Sequence, residues 1–140
     1  MIYRSARWLA IFLLVLNGAA ALFGGWSLMI DTTGADLGLP AEWIFRLPFR
    51  DYFIPGVLLF VMNGILSITA AIATMNQSRG YERFVVAQGI VLTSWILIQV
   101  IMLQTTEVLH FATAGIGLTL LALGAILLIN RIQNGIGNHG

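Results

Sequence analysis

Glu107 and His110 stand three residues apart at the start of a long apolar run, so on a helix they share one face. A histidine oriented by a carboxylate is the arrangement of a general base. Asp51 is a second carboxylate that could orient it, and the adjoining Arg50 has the charge and planar donors to hold a phosphate. Gln99, in the outer part of the preceding apolar run, can approach the same place, with Trp43 and Phe49 as an aromatic roof. Trp43, Phe49, Arg50, Asp51, Gln99, Glu107 and His110 therefore form the candidate site. Its chemistry falls short of catalysis, because no nucleophile motif accompanies it around Ser27, Ser67 or Ser94. A metal site is no better supported: Glu107 and His110 make one Glu-x-x-His pair where a bundle site takes one from each of two helices, no His-x-x-His accompanies it, and His139 lies in the tail on the other side. With no cysteine there is no thiolate, disulfide or cysteine-ligated metal. No cofactor is expected. Glu107 also suits the first turn of a helix, where the dipole favours an anion.

A second set of polar residues lies within the apolar runs: Asn17, Asn63, Gln88 and Gln99. Gln88, Leu92, Trp95 and Gln99 fall at i, i+4, i+7 and i+11, which puts both amides and the indole on one helical face. Polar groups at membrane depth are either mutually satisfied or functional. These are expected to bond between helices, with a solute path along that face as the rival reading.

The elements that must position both sets are four stretches, residues 6–29, 55–75, 84–103 and 108–130. Each reaches the roughly 20 apolar residues that cross a bilayer at about 1.5 Å per residue. Hydrophobic residues make up 59% of the chain and charged residues 9%, too few charges to cover a soluble domain of 140 residues. The expected fold is all-α, a polytopic transmembrane four-helix up-down bundle forming one membrane domain over residues 1–140. Asn17, Ala21 and Gly25 make a narrow face on the first span, as do Gly64, Ser67 and Ala71 on the second and Gly117 with Gly124 on the fourth. Small residues let helices approach closely in lipid. Packing inside the bundle is the expected use, and a seam with a second copy the rival.

All seven basic residues are arginines. Arg4, Arg7, Arg79, Arg83 and Arg131 fall on one side of a four-span chain. Asp31, Asp36, Glu42, Asp51 and Glu107 fall on the other, with Arg46 and Arg50 among them. The positive-inside rule then places both termini in the cytoplasm. Residues 1–21 resemble a signal peptide, but the apolar run continues to Ile30, and cleavage would separate Arg79 from Arg131 across the membrane. The near-neutral charge and short basic loops argue against nucleic acid.

The outer loop, residues 31–54, is the most distinctive segment. A turn at Asp31-Thr32-Thr33-Gly34 ends the first span. Pro40 suits the first turn of a short helix that Pro48 would stop, with Glu42 and Arg46 paired at i, i+4. The loop is too apolar for water and should lie in the interface, with Trp43 and Tyr52 at headgroup depth. Pro55 opens the second span. The connection 76–83 is an ordinary polar turn, and the tail after Arg131 is weakly structured by composition. Gly38-Leu39-Pro40, Pro48-Phe49-Arg50-Asp51-Tyr52-Phe53-Ile54-Pro55-Gly56 and Asn63-Gly64 resemble small bacterial four-span integral membrane proteins of uncharacterised function. The resemblance covers nearly the whole chain, though only the outer segment is specific. It implies the same topology and a bacterial inner-membrane setting, and supplies no activity. The expected role is non-catalytic: binding a lipid or a larger membrane partner, a homo-oligomer included, through the capped outer end. The alternatives are a small-solute or lipid transporter or channel component and, behind it, a membrane-embedded enzyme.

Overall fold

A computed structural model describes the backbone of residues 2–39, 42–43, 50–103 and 108–137, and the side chains of these apart from residues 2, 102–103, 108–110 and 135–137. Four long helices account for most of it. α1 is Ile2–Ile30. α2 runs from Phe53 to Met75 as three consecutive stretches, α-helical Phe53–Leu58, π-helical Leu59–Ile65 and α-helical Leu66–Met75. α3 is Tyr81–Leu103 and α4 is Val108–Gly137. All four are long and apolar enough to cross a membrane, and the described residues contain no strand.

The helices differ from the expected spans in one direction, by extending beyond them. α2 begins at Phe53, two residues before Pro55, because Asp51 Oδ1 accepts the Phe53 N–H at 3.0 Å. α4 continues six residues past Arg131, where composition favours an unstructured tail. Its backbone ladder runs on through Asn134, whose side chain reaches back to Asn130 Oδ1 at 3.5 Å.

α1 lies along α2 and α3 lies along α4, two antiparallel hairpins; α1–α4 and α2–α3 contacts close the ring. Each hairpin seam depends on absent side chains. A Cβ at Gly25 would stand 2.7 Å from the Gly56 carbonyl oxygen and the Phe60 nitrogen. One at Gly89 would stand 2.9 Å from the Leu121 nitrogen. Lipid provides no hydrophobic drive between helices, so this backbone-level approach supplies the dispersion contact that replaces it. The small faces expected on α1, α2 and α4 are thus occupied within the chain.

Among the described residues, the core shared by all four helices occupies one half of the bundle. Ala6, Ala10 and Leu14 of α1, Ala70 and Ala71 of α2, Val85 and Leu92 of α3, and Leu120, Leu123 and Leu127 of α4 form it. All lie towards the end that carries both termini. In the other half α1 and α2 stay tightly paired, with Ala21, Gly25, Leu28, Gly56 and Gly64 buried. The second hairpin behaves differently there: among its described residues none beyond Ile96 on α3, and none before Gly117 on α4, is buried.

Polar contacts lock the terminal end. Glu82, in the first turn of α3, is buried and accepts from Arg131 Nη1 at 2.8 Å. The connection 76–83 is therefore more than a polar turn, since its one acid ties α3 to α4. Arg7 Nη1 donates to the Thr74 carbonyl at 3.3 Å, tying α1 to the end of α2, while its guanidinium lies 5.2 Å from the Trp8 ring centre. α2 then ends in a Schellman motif, with Ser78 N–H on Ala73 O, Gln77 N–H on Thr74 O and Gln77 itself at φ 49°.

Candidate functional site

At the loop end the expected turn is present, organised by Asp31. Its Oδ1 accepts the Thr33 hydroxyl at 2.6 Å and the Thr33 N–H at 3.2 Å, and its Oδ2 accepts the Asp36 N–H at 2.9 Å. The Thr33 hydroxyl, followed by the Asp36 N–H, holds the Asp31 carboxyl below the ordinary carboxylate value. A 3-10 turn, Ala35–Leu37, follows. Of the short helix expected between Pro40 and Pro48, Glu42 and Trp43 fall among the described residues, both in 3-10 conformation. Arg46 and the pairing proposed for it lie outside them.

The seven candidate residues fare unequally. Arg50 is exposed. Asp51 is committed to the start of α2 through Phe53. Trp43 and Gln99 are half-buried. Phe49, Glu107 and the His110 side chain lie outside the described residues, so the Glu107–His110 pairing does too. Tyr52, expected at headgroup depth, is buried against the Thr32–Gly34 turn. Its N–H donates to Thr32 O at 3.0 Å, and its ring fills the space beside Gly34, where a Cβ would meet it at 2.9 Å. Gly34, at φ 76°, is thus required twice, by its conformation and by the ring. Burial pushes the Tyr52 hydroxyl up from the ordinary tyrosine value.

A second constellation is built around the π-helical stretch near the middle of α2. There Leu66 N–H bonds to Val61 O, five residues back. The carbonyl it would have used in an α-helix, Met62 O, accepts from Gln88 Nε2 of α3 at 3.1 Å. Asn63 O accepts from Asn17 Nδ2 of α1 at 3.4 Å, and the same nitrogen donates to Ser67 Oγ at 2.8 Å. Amides from both neighbouring helices thus serve carbonyls of the irregular turn, which is how non-α backbone persists at membrane depth. Of the expected face, Gln88 and Leu92 are buried and Trp95 and Gln99 half-buried, and Gln88 makes the interhelical bond expected of it.

Asn63 itself is 0% exposed, and neither its Nδ2 nor its Oδ1 has a hydrogen-bond partner among the described residues. Asn17, Asn63 and Gln88 are each visible as polar residues inside apolar runs. Ser67 shows only as a small residue, and the π turn has no local signature. The nearest signal is Asn63-Gly64 inside a span, four residues before Ser67.

Among the described residues no three His, Cys, Asp or Glu side chains gather as metal ligands. Comparison of the chain with family models, curated proteins and solved structures gives no match.

Proposed function

We propose that the protein is a non-catalytic component of a bacterial inner membrane, with both termini cytoplasmic, that binds a lipid at its loop end. The observation that carries this reading is the uneven core. Among the described residues, the two hairpins share a packed interior in the half that carries the termini. In the loop half the second hairpin buries none of its described residues beyond Ile96 or before Gly117. An acyl chain between the hairpins would cover that surface, and the exposed Arg50 would meet an anionic headgroup at its mouth. Half-buried Trp43 has the amphipathic ring suited to the same depth. Phe49, Gln99, Glu107 and His110 remain the proposed lining, and a larger membrane partner could use the same end.

The non-catalytic part rests on what the acids do. Asp31 organises a turn, Asp51 starts a helix and Glu82 holds an arginine, so three of the six carboxylates already serve the fold. A second reading, passage of a small solute, draws on the neutral polar groups around Asn63 at mid-depth.

The test is native mass spectrometry of the protein extracted gently from its own membrane, beside Arg50→Ala. A stoichiometric lipid adduct on the wild type, diminished in the variant, is the expected result. A bare wild-type chain would refute lipid binding, and an adduct equal in both would remove Arg50 from it. Sidedness is read separately: the cysteine-free chain allows Ser78→Cys and Thr33→Cys to be labelled from either face of sealed vesicles. Labelling of Thr33→Cys from the cytoplasmic face would reverse the proposed orientation.

A further inference from the structure

We propose that the Asn63 amide is a binding site for a neutral hydroxyl group in the middle of the bundle, a site independent of the loop-end lipid. Three observations converge on it. Asn63 is completely buried, and its amide presents two N–H donors and a carbonyl acceptor that no described protein group uses. The neighbouring amides cannot relieve it from their donor ends: Asn17 Nδ2 is spent on Ser67 Oγ and Asn63 O, and Gln88 Nε2 on Met62 O. The backbone carrying it is π-helical, a form that interrupts α-helices mostly at functional sites.

The chemistry of the ligand follows from the same groups. A cation would use only the Asn63 carbonyl oxygen and an anion only its NH2, leaving the other end of the amide unpaired. The side chains bonded around the π turn, Asn17, Ser67 and Gln88, are uncharged, so nothing at this depth would compensate an ion. A group that both donates and accepts satisfies the amide in full, and a hydroxyl is the smallest that does. Water supplies one, and so does the end of a membrane-dissolved alcohol. A buried polar group with no partner costs stability, and gains it when a partner satisfies it.

The experiment uses the 15N-labelled full chain in phosphatidylcholine nanodiscs, with the Asn63 side-chain NH2 resonances identified by their loss in Asn63→Leu. Bound water gives a cross-peak between those protons and the water line. A bound alcohol gives a saturable shift of the same resonances on addition of 1-dodecanol. Either result is expected and tells the two sources apart; neither cross-peak nor shift would overturn the proposal. Asn63→Leu adds a sign test, since it keeps the four-heavy-atom outline of the side chain. A lowered melting temperature is the expected result. A raised one would mean that the wild-type amide is a buried liability with no ligand, and would overturn the site.

Discussion

Replacing Asn17 should destabilise the bundle more than replacing the serine it bonds to, because Asn17 also serves the backbone of the π turn. Its Nδ2 reaches Ser67 Oγ at 2.8 Å, near the best distance, and Asn63 O at 3.4 Å, a longer and weaker contact. Interhelical side-chain bonds in membranes average about 0.6 kcal/mol and reach about 1.7. Ser67→Ala removes only the first bond, so its cost is about 0.6 kcal/mol. Asn17→Leu removes both and takes the interhelical donor from a carbonyl buried in low dielectric, which adds on the order of 1 kcal/mol. The total for Asn17→Leu is therefore about 2 kcal/mol. The double variant should cost no more than Asn17→Leu alone, since the serine bond is already gone. Reversible unfolding in mixed micelles titrated with dodecyl sulfate, followed by circular dichroism, measures all three. A cost for Ser67→Ala equal to that for Asn17→Leu, or additivity in the double variant, would refute the claim that Asn17 supports the π turn.

Gly25→Ala should cost about 1–3 kcal/mol, because its new methyl meets backbone atoms of α2 at 2.7 Å and the hairpin must open. Gly115→Ala, with nothing within 4 Å, should instead be neutral or stabilising by up to about 1 kcal/mol through helix propensity; the same unfolding titration separates the two. Arg131→Met leaves the buried Glu82 carboxylate unpaired and should cost about 3 kcal/mol at most, since the Arg131 side chain is 44% exposed. Glu82→Gln on that background should restore most of the loss, and its failure to do so would show that Arg131 acts through packing alone. The loop turn should be pH-dependent through Asp31. Its folded pKa is depressed, so its contribution is complete above the ordinary aspartate range and is lost as pH falls through the folded value. The protection of the Thr33 and Asp36 amides, measured against their intrinsic exchange rates, should fall on acidification, and Asp31→Asn should abolish that dependence.

How much of this was legible in advance depends on whether a feature is periodic or relational. Composition and run length alone determine the four apolar helices and the up-down order, because a backbone in lipid must bond to itself and a bilayer sets the length. Charge placement shows equally directly that Arg4, Arg7, Arg79, Arg83 and Arg131 share an end. Asn17, Asn63 and Gln88 stand out because each is a polar group inside an apolar run. Their partners do not stand out. Pairs such as Asn17 with Ser67 and Gln88 with the Met62 carbonyl are separated by 50 and 26 residues, and no local period encodes them.

The tertiary structure alone decided the rest. A π turn is favoured only when donors from other helices arrive to serve its carbonyls, so its place on α2 depends on α1 and α3. Glu82 is a surface acid by sequence and a buried one once Arg131 comes over it. Tyr52 is an interfacial aromatic by type and a buried one because Gly34 leaves room for its ring. The place of the shared core among the described residues, towards the terminal end, is likewise a property of how two hairpins meet. Each hairpin is held by contacts within itself, and the line along which the two join is set by packing that neither can specify alone.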